Sequence, residues 1–196
     1  MSKLYFRYGA MNSGKSTHLM QVAYNYEERG MKVVILKPAT DKKGGDRLFS
    51  RLGVNRNVDM LIENKDNIFK RIEEKGLSSS KVHCILVDEV QFMETIQIDQ
   101  LFEIAVKLDI PVICYGLRTD FRMEGFEGSK RLLLIAHSIE EMKTICKCGN
   151  KAMVNARKIN GKFVFEGEQI AIDNVDDVEY ESVCGKCYYK YKDRKS

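Results

Sequence analysis

Gly9-Ala10-Met11-Asn12-Ser13-Gly14-Lys15-Ser16 follows the spacing G-x-x-x-x-G-K-S. Glycines at these two places let a main chain wrap around a polyphosphate, with successive N–H groups turned toward the anion. A lysine directly after the second glycine adds a point charge for the β- and γ-phosphates, and the following hydroxyl suits Mg²⁺. A phosphate cradle of this kind works only where a strand feeds it and a helix leaves it. Both signals are present. Leu4-Tyr5-Phe6-Arg7-Tyr8 reads as a strand, and Leu19, Val22, Ala23 and Tyr26 then recur on one face of a helix.

Two further groups of residues carry chemistry. Val87-Asp88-Glu89 closes an apolar run. In phosphate-loop proteins an acid there completes the Mg²⁺ shell from a neighbouring strand, so Asp88 joins Ser16 as a candidate magnesium ligand. Glu89 points elsewhere and is the candidate general base for an acceptor hydroxyl. Cys146 and Cys148 form one close pair, and Cys184 and Cys187 a second. Two such pairs a few dozen residues apart read as a structural Cys₄ zinc site with no open position. Reduced thiols or a redox dithiol are the alternatives; a redox pair wants a helix opening at the motif, and the sequence offers no helical pattern there. His18, His83 and His137 join no ligand cluster.

The elements that must position these residues follow from hydrophobic pattern. Segments 32–36, 82–87 and 110–115 are apolar on both faces, which suits parallel strands covered by helices on either side. Helix candidates lie at 64–75 and 95–107. The alternation implies an α/β domain with a doubly wound, mostly parallel sheet, whose ligands gather at the carboxyl ends of its strands. Segment 40–57 reads as a long mobile loop and 118–129 as a second polar loop flanking the site. Beyond residue 142 helical periodicity stops and short strand-like pieces appear between cysteines. The division expected is 1–141 for the nucleotide-binding domain and 142–196 for a small zinc ribbon. Cys84 and Cys114 sit inside apolar runs, as core residues do.

Composition narrows the class further. The chain has 196 residues, is 44% hydrophobic and carries a net charge of +4. That is enough for one cored domain with an appendage, and too little charge to argue for nucleic acid. No apolar run reaches membrane length, and the first residues lack signal-peptide architecture, so a cytoplasmic protein without membrane or nucleic-acid partners is expected.

Taken in order, the loop with its flanking residues 4–17, Asn25-Tyr26-Glu27-Glu28-Arg29-Gly30-Met31, Leu86-Val87-Asp88-Glu89-Val90-Gln91-Phe92, Cys114-Tyr115-Gly116-Leu117-Arg118-Thr119-Asp120-Phe121-Arg122 and Ser182-Val183-Cys184 resemble the cellular-type (type II) thymidine kinases of bacteria from end to end. The resemblance implies a phosphate-loop α/β domain and a zinc ribbon whose loop, the lasso, closes over a nucleoside. It implies 5′-phosphorylation of thymidine by ATP–Mg²⁺, a homotetramer, and feedback inhibition by thymidine triphosphate. Carried over by residue, Met11 would sit beside the thymine methyl group and Glu89 would be the base. Phe92, Leu117 and Phe121 would line the pocket, and Tyr180 would help to close it; from spacing alone these apolar residues read as core. Arg51 is a candidate neighbour of the phosphates. The first cysteine pair is C-x-C, shorter than the family's usual C-x-x-C, and segment 172–180 lacks the Gly-Gly pair the family's lasso carries. Two other readings are a kinase for another deoxynucleoside, and a nucleotide switch whose ribbon binds RNA through Tyr188, Tyr189, Lys190, Tyr191 and Lys192.

Overall fold

The computed structural model describes residues 1–40, 45–49, 53–76, 82–169 and 177–193. Leu4–Tyr8 forms β1, and the loop after it opens helix α1 (Lys15–Glu27). β2 (Lys32–Pro38) ends at its proline, which has no N–H to extend a ladder. β3 (Arg47–Phe49) and β4 (Asn55–Asn57) pair as a small antiparallel ribbon, followed by β5 (Met60–Ile62) and helix α2 (Ile68–Glu74). β6 (Val82–Val87) runs into a 3₁₀ turn at Val90–Phe92 and then α3 (Thr95–Lys107). β7 (Val112–Gly116), α4 (Glu127–Ile135) and β8 (Ser138–Glu141) complete this part of the chain.

Six strands join in the order β5-β2-β6-β7-β1-β8, every pair parallel. Alternate residues of the inner strands β2, β6, β7 and β1 enter two separate cores. Phe6, Leu36, Val87 and Cys114 pack under α2, α3 and α4, together with Ile72, Ile98, Leu101 and Leu132. Ile35, Cys84, Leu86 and Tyr115 pack on the other face against Leu19, Met20 and Ala23 of α1. Fully burying each such aliphatic side chain contributes roughly 1.5–3 kcal/mol, so the strands are fixed in register from both sides. Helices on both faces make the sheet doubly wound, as the apolar runs require, and Cys84 and Cys114 are core residues.

Three segments differ from the sequence expectation. Part of 40–57 is the β3–β4 ribbon; 41–44 and 50–52, Arg51 among them, lie outside the described residues. The helix expected at 64–75 begins only at Ile68, because the Asn67 side chain accepts a hydrogen bond from the Lys70 N–H (2.9 Å) and caps it there. The polar stretch 118–129 runs into α4, where Gly128 and Ser129 are buried.

The remaining residues form a second, smaller unit. β9 (Thr144–Ile145) pairs with β10 (Lys151–Ala152). β11 (Val154–Ile159) is the centre of an antiparallel sheet, with β12 (Lys162–Val164) on one side and β13 (Val178–Val183) on the other. Helix α5 (Gly185–Asp193), which no periodicity announced, closes a third core of Cys146, Ala152, Val154, Ala156, Val183, Cys184 and Tyr188. The Tyr188 hydroxyl leaves that core to donate to the Phe121 carbonyl (2.9 Å), tying the unit to the loop after β7. No helix among the described residues is long and apolar enough to cross a membrane.

Gly128 is where α4 meets the turn after β6. A Cβ there would lie 2.6 Å from the Val90 carbonyl and 2.8 Å from that of Met93. Neither backbone oxygen can step aside alone. Gly128→Ala is therefore expected to destabilise the protein by about 1–3 kcal/mol, the usual range for overpacking. A thermal melt checks this; an unchanged Tm would mean that the turn yields freely.

Candidate active site

The loop after β1 is held in shape by its own backbone. Gly14 is left-handed, at φ +80°, and directly precedes α1, a position where a side chain would be strained. The Lys15 ammonium is buried and folds back over the loop, donating to the carbonyls of Gly9 (3.2 Å) and Ala10 (2.9 Å) and lying 3.4 Å from the Ser13 hydroxyl. Burial pulls its pKa below the usual lysine value, against the opposing pull of the Glu89 and Asp88 carboxylates. A cation on neutral carbonyls gains from a better-charged partner, and an incoming polyphosphate is one.

Asp88 follows the carboxyl end of β6. The sequence placed it on a strand neighbouring the loop strand; in the sheet β7 stands between β1 and β6. The loop helix bridges that gap, and the Ser16 hydroxyl donates to Asp88 Oδ2 at 3.0 Å. Asp88 is only 3% exposed, and its Oδ1 has no hydrogen-bond partner among the described residues. Burial, and next the neighbouring Glu89 carboxylate, push its pKa up to about 7. A buried carboxylate oxygen with no partner, beside a hydroxyl, is a hard-oxygen site of the kind a divalent cation takes.

Glu89 is half-buried and left-handed at φ +48°, ψ +36°. Non-glycine residues adopt that conformation at a cost of roughly 1–2 kcal/mol, and here it turns the carboxylate away from the line of β6. Gln91, buried in the following turn, fixes it. The Leu117 N–H donates to Gln91 Oε1 at 3.0 Å, which sets the amide orientation and leaves Nε2 to donate to Glu89 Oε2. Gln91 had been noticed only as part of a family motif.

The apolar residues expected in the pocket divide into groups. Phe92 stands edge-on to Phe126, with ring centroids 5.6 Å apart, and Leu117 is buried next to the Gln91 turn. Phe121 is 1% exposed and lies under the Arg157 guanidinium, 3.7 Å from ring centroid to Cζ. Arg157 also donates through Nε to the Tyr180 hydroxyl (3.0 Å) and through its other nitrogens to the carbonyls of Glu168 and Gln169. Met11 and Tyr180 border a cavity of about 550 Å³ with Asn12, Lys158 and Ser182; Phe92, Leu117 and Phe121 do not line it. Asp120 caps its own loop by accepting from the N–H groups of Arg122 (2.8 Å) and Glu124 (2.9 Å). Arg157, Asp120 and the polar residues of β11 were not singled out from sequence.

The four sulfurs of Cys146, Cys148, Cys184 and Cys187 lie within 4.8 Å of one another and can hold a metal ion. Tetrahedral thiolates about 2.3 Å from zinc stand about 3.8 Å apart, so the set fits. The Cys187 N–H points at Cys184 Sγ (3.4 Å) and the Asn150 amide at Cys148 Sγ (3.3 Å), the outer contacts that orient thiolate ligands. The short C-x-C pair is no obstacle. One expectation is corrected: a helix does open at the second pair, α5 beginning directly after Cys184 and containing Cys187. The argument against a redox dithiol therefore rests on four converging sulfurs rather than on a missing helix. Each histidine has another duty. His83 and His137 accept backbone N–H groups from Lys32 and Leu4, and His18 meets the Tyr115 hydroxyl. Of the aromatic stripe read as an RNA surface, Tyr188 is buried and Tyr191 stacks on Phe163 with centroids 4.1 Å apart.

Ligands of doubly wound sheets bind outside the carboxyl ends of the strands, and that is where Gly9 to Ser16, Asp88 and Glu89 converge. The fold and this constellation define an enzyme of the phosphate-loop class that moves phosphoryl groups. The family described as "Thymidine kinase" matches residues 2–188. The "Thymidine kinase" of Francisella tularensis subsp. tularensis (strain SCHU S4) is 47% identical, covering 95% of this chain and 96% of that one. That of Haemophilus influenzae (strain Rd) is 47% identical over 98% of both. That of Legionella pneumophila (strain Paris) is 45% identical over 98% of this chain and 90% of its own length. The chain belongs to the thymidine kinase family.

Asp88 gives a prediction with a definite sign. Its folded-state pKa is raised, so the stability it contributes is complete below the unfolded value of about 3.9 and is lost as pH rises through about 7. Asp88→Asn removes that titration. In Mg²⁺-free buffer the variant's Tm should gain on the wild type between about pH 4 and pH 7, and the difference should level off above about pH 7. Parallel Tm curves for the two proteins would contradict a buried, uncompensated carboxylate.

Proposed function

We propose that the enzyme transfers the γ-phosphoryl group of ATP to the 5′-hydroxyl of thymidine, with the phosphate loop on one side of the reacting atoms and β13 on the other. The observation that carries this is the Ser16–Asp88 hydrogen bond of 3.0 Å, with the unpartnered Asp88 oxygen next to a Glu89 carboxylate held by Gln91. Support for thymidine as acceptor comes from the family and from its resemblance at Met11, Phe92, Leu117, Phe121 and Tyr180.

Phosphoryl transfer has a loose transition state, so the protein mainly positions groups and stabilises charge. Backbone N–H groups at the helix end of the loop, residues 14–16, cradle the β- and γ-phosphates, while the Met11 N–H is taken by Asn155. Lys15 exchanges its loop carbonyls for phosphate oxygens, where its charge offsets that of the group in flight. Ser16 and Asp88 would hold Mg²⁺, whose charge would offset that of the phosphates. Glu89 accepts the proton of the 5′-hydroxyl, with Gln91 fixing the oxygen that takes it. Met11 and Tyr180 meet the base. The lasso is segment 166–180, of which 170–176 lie outside the described residues; Arg157 anchors its near end at the Glu168 and Gln169 carbonyls.

The division of labour we infer is residues 1–141 for the nucleotide-binding domain and 142–196 for the ribbon, since the third core starts with Cys146. The ion on the four cysteines is zinc, in a closed structural site. By the resemblance to the family, the enzyme works in the cytoplasm as a homotetramer and is inhibited by thymidine triphosphate.

Proton removal by a positioned base contributes about 10²–10⁴-fold. Glu89→Gln should lower kcat by that factor in a thymidine-dependent assay while MgADP binds within a few-fold of wild type. Near-normal kcat would place the base elsewhere. For the metal, protein purified without chelator should contain close to one zinc per chain, and stripping it should lower the Tm, because structural zinc contributes folding energy directly. Metal-free protein with an unaltered melt would overturn the structural role.

A further inference from the structure

β13 presents Tyr180, Ser182 and, just past its end, Cys184 at every second position, hence on one face. β11 answers in register, with Arg157 opposite Tyr180 and Asn155 opposite Ser182. The first pair bonds to itself through Arg157 Nε and the Tyr180 hydroxyl (3.0 Å). The second reaches out of the ribbon to a single residue of the phosphate loop. Asn155 Oδ1 accepts the Met11 N–H at 2.7 Å, and the Ser182 hydroxyl donates to the Met11 carbonyl. The Asn155 amide nitrogen points back to the Thr119 carbonyl, 3.4 Å away, which fixes which end of the amide faces Met11. Asn155 is 3% exposed and Ser182 8%, so both polar groups are committed to these contacts.

We propose that Asn155 and Ser182 are positioning residues that set the phosphate loop from outside, gripping residue 11 by both its N–H and its carbonyl. The cradle needs its N–H groups to converge on one anion, and a peptide free to turn there spoils the convergence. Met11, with Asn12 next to it, also borders the cavity shared with Tyr180. The clamp therefore sets the phosphate side and the nucleoside side through one residue. The inference rests on the phosphate-loop reading of residues 9–16.

The test compares MgADP affinity, by calorimetry, in wild type, Ser182→Ala, Ser182→Thr, Asn155→Val and the Ala/Val double variant. Each truncation should weaken MgADP about three- to tenfold, the span of one net hydrogen bond. The double variant should lose less than the product of the two, since both side chains hold one peptide. Ser182→Thr keeps the hydroxyl on a strand-compatible side chain and should restore most of the affinity. Zinc content and Tm record whether the ribbon itself is intact; a role confined to ribbon folding would move these and leave MgADP binding alone. Unchanged affinity in both truncations, or Ser182→Thr behaving as Ser182→Ala, overturns the clamp. Should a truncation fail to fold, hydrogen exchange of nucleotide-free wild type decides: the Met11 amide is protected if clamped, and its free exchange refutes the proposal. Wild-type protein that does not bind MgADP would instead remove the phosphate-loop reading on which the clamp depends.

Discussion

A buried carboxylate with one oxygen unpartnered is the constraint around which this molecule is arranged. Among the described residues Asp88 has a hydroxyl, not a cation, on its other oxygen, and the Lys15 ammonium that attracts it is committed to the carbonyls of its own loop. Burying charge without a partner is among the more expensive things a fold can do. The surrounding sheet can sustain it because β6 and its neighbours β2 and β7 are packed from both faces, so β6 cannot shift to give the carboxylate solvent. Lys15 and Asp88 thus attract each other while each holds a poorly matched partner, and on the function proposed above MgATP would supply both: phosphate oxygens for the ammonium and a divalent cation for the carboxylate. The ligand-free site is held poised by the stability of the two cores beneath it.

The second unit does more than gather four cysteines that can hold a metal. Its cysteines converge at one end of β13, and the same strand face carries the contact to Met11 and the tyrosine beside the cavity. A rigid ribbon, a loop peptide and an aromatic side chain are thereby placed in fixed sequence along one strand, at about 6.6–6.8 Å per two residues. Arg157 works likewise, covering Phe121 with its guanidinium plane while bonding to Tyr180 and to the near end of the lasso. Arg157 thus rests on neutral acceptors and a ring face, and it joins three segments that are distant in the chain.

Much of this was legible before any coordinates. β1, β6 and α3 appear with the boundaries read from sequence, because runs apolar on both faces and a clean helical stripe leave few alternatives. The phosphate loop, Asp88 and Glu89 follow from residue types whose chemistry depends on local spacing. Residues whose duties depend on tertiary docking were hidden. Asn155 and Arg157 alternate with Val154 and Ala156 and read as the wet face of an exposed strand; only the packing of the ribbon on the loop after β1 makes that face an interior. α5 was missed because its tyrosines and lysines show no simple stripe until the third core is known. The start of α2 was displaced by a capping asparagine, a local competition that periodicity does not register.

The account's central claim is that the loop and the two acids move a phosphoryl group from ATP to a specific hydroxyl. The direct measurement is to supply ATP labelled in its γ-phosphate and follow the label with and without thymidine and Mg²⁺, locating it in the product by phosphorus NMR. The account predicts that label leaves ATP only when both are present and is found on the 5′-oxygen of thymidine. Release of the label as inorganic phosphate at a rate indifferent to thymidine, or its appearance on the 3′-oxygen, would contradict it.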